Sequence, residues 1–485
     1  MKDSATSRGH DFAASFTSLF RLPRAFWLVI AAFVVDVAAY FGVLTLMSGY
    51  LSTELHWGDV RAGLTVSLFT MAVTLFMLGA GSFAEGFGLR RAILAALVMA
   101  VAGRAIFSAV PGWSGPVAVV AVIGSLLVVA MAEAILQPVC YSGVKQYTDE
   151  RTNSMGYALI YAIMNLCVVG IGTLSAWIRP SVQALKDGRG EGIDPGMVIG
   201  GLARISGSGM QAVNWACTGV TVLILLVFAV LMTRKAEAAK LRPDTAEELR
   251  ANDTRPWTAR LRSYFSEGPF RNARFLFFIF MLLPVRTLFA HQWLTFPQYI
   301  LRAYDQGVAD HMEWLVNWIN PAVIFIGVPV ATALTRRVNV YTMMITGSLV
   351  SAAPTFLLCG GPDLTRLITY FVIFSIGEAL WSARFLEYAS ELAPPGRVSQ
   401  YMGLASVPWL LAKGTTGFYS GAMLAHFCPA GVPPTELRTG TMWFVYGCIA
   451  LASPLGLWLA RPWVMKGMAR SPGMTPADAT VDGTQ

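Results

Sequence analysis

In a chain of 485 residues, 55% are hydrophobic and only 13% are charged, about half the charged share of soluble domains, roughly 25%. The chain therefore reads as an integral membrane protein, and its formal charge of +8 reads as basic flanks on apolar segments, attracted to anionic lipid. The sequence holds no phosphate loop, metal-ligand cluster or nucleophile elbow, so an enzyme is not expected, nor a metal, a cofactor or a nucleic-acid partner.

Residues 1–24 are polar and basic, and the apolar block after them exceeds the ~7–15 residues of a cleavable signal core, so it is expected to stay as an anchor. A helix rising about 1.5 Å per residue crosses ~30 Å of hydrocarbon in about 20 residues. Twelve blocks fit that length, at 25–50, 60–84, 90–110, 116–140, 154–178, 212–233, 273–299, 314–335, 340–359, 366–391, 400–425 and 440–461. The charged segment 234–272 divides them six and six, so 25–233 and 273–461 are expected to form two six-helix bundles joined by a cytoplasmic linker. Arg179 to Gln211, polar and glycine-rich, reads as a loop or short surface helix between blocks 5 and 6. Most lysines and arginines lie before block 1, at Arg90 and Arg91, in the linker, at Arg336 and Arg337, and after block 12. The positive-inside bias then places both termini in the cytoplasm. The expected fold class is all-α integral membrane with twelve transmembrane helices, a monomer in a bacterial inner membrane, its 462–485 tail disordered. Cys140, Cys167, Cys217, Cys359, Cys428 and Cys448 form no C-x-x-C pair, and only Cys359 with Cys428, both at outer ends, merits testing for a bridge.

Blocks 2 and 3 are joined by Gly81-Ser82-Phe83-Ala84-Glu85-Gly86-Phe87-Gly88-Leu89-Arg90-Arg91. Its glycines allow a tight turn, and Glu85 with Arg90 and Arg91 can make a breakable gating contact. The stretch resembles the signature of the major facilitator superfamily, with Glu85 in place of the usual aspartate and Gly86 in place of the usual arginine. Tyr40-Phe41-Gly42 and Tyr50-Leu51 stand around block 1, Tyr161-Ala162-Ile163-Met164-Asn165 on block 5, and Asn320-Pro321 with Pro329 on block 8. Gly377-Glu378-Ala379-Leu380 lies on block 10, and Ala393-Pro394 precedes Tyr401-Met402-Gly403 of block 11. Together these segments resemble the proton-dependent oligopeptide transporter family. That resemblance implies peptide-like solutes, proton coupling, and a central cavity lined by Tyr40, Tyr161, Asn165, Asn320 and Glu378, the last meeting a substrate amino group.

Departures from the family's pattern carry equal weight. Its helix 1 motif of two acids and an arginine falls on Phe33, Asp36 and Val37, leaving one acid. Its helix 4 lysine falls on Gln137 before Pro138, and its helix 7 glutamate on His291 before Gln292. A peptide carboxylate would need another cation.

Charge inside a span is costly and marks function or a buried pair. Asp36, His291 and Glu378 are the candidate proton-coupling residues, His291 because an imidazole titrates near neutral pH. Arg286 offers a fixed planar fork for an anion, or pairs permanently with an acid. Lys413 holds an anion or pairs with Glu378. Glu133, one turn before Gln137, replaces the absent helix 4 function with opposite charge, or sits in a salt bridge of unknown partner. Arg384 and Glu387, three apart on block 10, are a gating or structural pair. The expected substrate-binding set is thus Tyr40, Glu133, Gln137, Tyr161, Asn165, Arg286, Gln292, Asn320, Glu378 and Lys413.

These residues point to secondary transport of a small peptide-like, zwitterionic or anionic solute by alternating access, in symport with protons. Two alternatives remain: a proton-exchange exporter of amphipathic compounds, and a non-transporting membrane sensor or scaffold. Membrane lipid and a small-molecule substrate are the expected partners.

Overall fold

Backbone N–H and C=O groups in hydrocarbon have no water to bond, so each segment must satisfy its own, which favours helices. The computed structural model describes residues 21–148, 153–189, 196–239, 272–335, 338–391 and 398–468; some helical stretches, among them 78–87, 386–391 and 398–406, are described by backbone alone. Among the described residues there are helices and turns but no strand. Ten helices among the described residues are long and apolar enough to cross a membrane. The eighth expected block appears as a shorter apolar stretch, Met312–Val328, and the eleventh as the helix Val398–Phe427.

Block 7 was expected as one helix but consists of three, Ala273–Met281, Leu283–Leu294 and Phe296–Ala303. Pro284 and Pro297 lie in the first turns after the two breaks, where a missing N–H costs least. Val285 N–H, displaced from the ladder, donates instead to Ser453 Oγ at 2.9 Å. Block 8 is likewise divided, into Met312–Asn317 and Ile319–Leu334. Block 5 is longer than expected: Asn153–Lys186 stays helical through Pro180, so Arg179 is not in a loop. The remainder of that connection holds a short helix, Gly196–Ile205. Gly88, with φ +78°, makes the left-handed turn between Gly58–Phe87 and Leu89–Ala109 that the glycine spacing predicts.

Contacts divide the chain into two units that cut across the six-and-six order. The first unit comprises Met1–Thr254, His291–Phe325 and Lys413–Leu437; the second comprises Arg255–Ala290, Ile326–Ala412 and Arg438–Gln485. In the first, Phe26, Phe33, Ile93, Leu97, Leu136, Ile224 and Phe228 form one buried core. Later segments join this unit through polar ties: Thr45 Oγ1 donates to Asn317 Oδ1 at 2.9 Å, and Ser48 Oγ to the Leu294 carbonyl at 3.4 Å. Block 11 lies directly on block 2, for a Cβ on Gly417 would strike Ser67, and one on Gly421 the Asp59 backbone. Lipid is as apolar as leucine, so such close backbone approach and buried hydrogen bonds, about 0.6–2 kcal/mol each, do much of the helix association. The second unit is aromatic: Phe289 packs on Phe374, Trp381 and Trp409, and Phe278 stacks on Phe385.

Candidate functional site

Four helices of the first unit meet at Arg104. Its Nη1 lies 2.5 Å from Asp36 Oδ1 and donates to Thr221 Oγ1, while Nη2 lies 2.7 Å from Glu133 Oε1. The cluster is sealed, with the Arg104 and Asp36 side chains 2% and 1% exposed. Asp36 Oδ2 and Arg104 Nε are buried with no hydrogen-bond partner among the described residues. Two carboxylates therefore face one guanidinium away from water. With both acids ionised the site carries a net negative charge, whose burial costs several kcal/mol. One proton on either acid would make it neutral. Tyr40, one turn after Asp36, and Arg104 line a cavity of about 10 Å³, roughly the room one water needs.

A second set of charges joins blocks 2 and 5 to blocks 7, 8 and 11. Arg302 is bidentate on Asp59, at 2.6 and 2.7 Å, and donates to the Cys428 carbonyl at 2.8 Å. Ser52 Oγ also donates to Asp59. Arg179 forks onto Glu313, with Nη2 2.9 Å from Oε2, and Ser175 Oγ donates to the same carboxylate. Glu313 is wholly buried. These are charge-assisted, two-point contacts, the strong class of hydrogen bond.

The other predicted residues are more dispersed. His291 is fully buried, with Nδ1 2.7 Å from Thr295 Oγ1 and Nε2 3.2 Å from Tyr419 OH, so both ring nitrogens meet hydroxyls. Lys413, also in the first unit, donates from Nζ to Thr74 Oγ1 at 3.3 Å. Gln137 stands one turn before Tyr141 on the helix Gly115–Gln146. Asn165, Gln292, Asn320 and Glu378 are half-buried, Glu378 in the second unit. Arg286, 7% exposed, rests on rings: its Cζ is 4.2 Å from the Phe385 centroid and 5.5 Å from that of Trp381. Ring attraction returns about 0.5–2 kcal/mol, less than the several kcal/mol needed to bury an ion. Arg90 engages the Met232 carbonyl and, through its backbone N–H, Glu237 at 3.0 Å, contacts close to block 6; Arg91 is exposed. The side chains of Glu85, Tyr161, Arg384 and Glu387 lie outside the described residues.

Sequence reasoning did not single out Arg104 and named no partner for Asp36 or Glu133; the structure supplies that partner. Two unmatched mid-helix acids in one half were the signal that a cation was missing. Asp59, Arg302, Arg179 and Glu313 were also missed, because charges near helix ends read as interfacial.

A profile described as the Major Facilitator Superfamily matches residues 195–413. A search of curated proteins returns no match. A mutant of the peptide transporter POT aligns over 92% of this chain and 95% of its own, with TM-score 0.68 and 16% identity. A POT family transporter in complex with 5-aminolevulinic acid aligns over 91% and 97%, with TM-score 0.63 and 15% identity. Another, in complex with a thioalcohol-conjugated peptide, aligns over 91% and 97%, with TM-score 0.64 and 14% identity. The chain has the major facilitator fold. With its apolar helices, that fold makes it a multi-pass membrane protein. It resembles the POT transporters in fold along nearly its whole length.

Proposed function

We propose that this chain is a secondary transporter that carries a small peptide-like, zwitterionic or anionic solute in symport with protons, by alternating access. The observation that carries the reading is the sealed Asp36–Arg104–Glu133 cluster, where two acids share one guanidinium inside a transporter fold. Protonation there changes the charge of a site spanning blocks 1, 3 and 4, and it drives transport only by favouring one state over another. Asp59–Arg302 and Arg179–Glu313 serve as gate pairs on the outer side, the termini being cytoplasmic. Membrane lipid suits the cavity of about 440 Å³ along blocks 2 and 4, which is lined by Trp57, Arg61, Leu68 and Ile123.

The test is uptake into proteoliposomes with an imposed inward proton gradient. Wild-type protein accumulates substrate, and Glu133→Gln retains exchange but loses gradient-driven accumulation. Accumulation that ignores the gradient, or that survives both Asp36→Asn and Glu133→Gln, rejects proton coupling at this site.

A further inference from the structure

Arg286 is a buried cation for which no carboxylate, carbonyl or hydroxyl accepts a hydrogen bond among the described residues, and its Nε is wholly enclosed. It lies in the first turn of Leu283–Leu294, just after the proline-marked break, within the second unit. Phe385 and Trp381 cover it, and Phe289, one turn further on, extends the aromatic wall to Phe374 and Trp409. Rings offer the guanidinium no acceptor for its N–H fork, so the directional part of its chemistry is unspent.

We propose that Arg286 is the anion subsite of the transporter, receiving a substrate carboxylate in its fork, and that the rings around it accept an adjacent apolar or planar group. This names the substrate class, an organic carboxylate with an apolar flank, and rests on the transport reading above. A carboxylate fits the fork at two points, whereas the matching amide offers one acceptor and no charge. A site built on that fork discriminates strongly between the two.

The experiment is thermal unfolding of the purified full-length protein with acid and amide pairs: phenylalanyl-alanine and its C-terminal amide, benzoate and benzamide, phenylpropionate and its amide. A ligand that binds the folded state raises the midpoint. At least one acid is expected to stabilise the wild type where its amide does not. Arg286→Met is expected to weaken that acid by roughly tenfold or more, and Arg286→Lys, which keeps charge but not the fork, to weaken it less. If Arg286→Met fails to fold, Arg286→Lys against the same pair decides, since an unchanged affinity rejects the fork. The proposal is overturned if acid and amide bind alike, if no acid outperforms its amide on the wild type, or if Arg286→Met keeps the preference. Such results leave gradient-driven flux intact. Conversely, preference for the acid without any flux in proteoliposomes rejects the transport reading and keeps the anion subsite.

Discussion

Removing Arg104 and removing its acids have opposite electrostatic consequences. Arg104→Met leaves Asp36 and Glu133 facing one another without a cation, and breaking a buried pair in this way costs about 3–5 kcal/mol. The expected outcome is a large fall in thermal midpoint in detergent. Adding Asp36→Asn and Glu133→Gln to that variant removes the uncompensated charge, so stability returns in large part while gradient-driven accumulation does not. Failure of the triple variant to recover stability means that Arg104 acts through packing rather than charge. Asp36 and Glu133 were legible in the sequence because an acid in mid-span is conspicuous at any register. Arg104 was not, because an arginine near the end of an apolar block can reach an interface by its own length. Its burial depends on Thr221 and on two acids from other helices, which no local pattern records.

At the scale of helices, the block limits read from apolar length agree with the structure to within a few residues for most blocks, since hydrocarbon thickness fixes them. The breaks in blocks 7 and 8 were not legible. Pro138, Pro180 and Pro408 sit inside continuous helices, whereas Pro284 and Pro297 adjoin breaks. What separates the cases is tertiary, such as Ser453 Oγ standing ready to accept Val285 N–H. Gly417 tests the contact between blocks 2 and 11. Gly417→Leu drives a side chain into Ser67, and should abolish uptake while the protein still reaches the membrane, as read by immunoblot and flux; normal uptake would mean that this approach is dispensable.

The Arg302 clamp can be followed through a thiol. Burial pushes the Cys428 thiol up to about 11 against the pull of Arg302, so at pH 8 it stays protonated, and only the thiolate reacts. In a background where the other five cysteines are serine or alanine, Cys428 should react slowly with a maleimide. Arg302→Ala, by opening the contact around Cys428, should speed labelling about tenfold or more if the site becomes as wet as an ordinary thiol. Equal rates would show that the pair does not guard this end.

For the molecule as a whole, one long charged segment in the middle of an apolar chain is what made a six-and-six expectation legible, and the contact units cut across that order. The division into those units was not legible, because it depends on Asn317, Leu294 and Gly417 meeting the first half. The proposed cytoplasmic placement of both termini has a direct check: a fluorescent protein fused after Met468 should fluoresce, and alkaline phosphatase fused at Gly361 should be active. The reverse pattern inverts the orientation and moves the Asp59–Arg302 pair to the inner face.

The Asp59–Arg302 and Arg179–Glu313 pairs also constrain how the chain is made. Asp36, Arg104, Glu133 and Thr221 are all translated before residues 234–272, so the first half can give its buried acids a cation as it emerges. Glu313 and Arg302 cannot do so within the second half's described contacts, because their counter-charges are Arg179 and Asp59. In natural order those partners are already in the bilayer when the late segments arrive, and domains form from the N-terminus first during synthesis. A gene rearranged to encode residues 273–468 ahead of 21–239 would present a buried acid to lipid before its arginine exists. Arg179 makes the burial of Glu313 tolerable in the folded state, and the ribosome's direction bears only on the path by which the two meet.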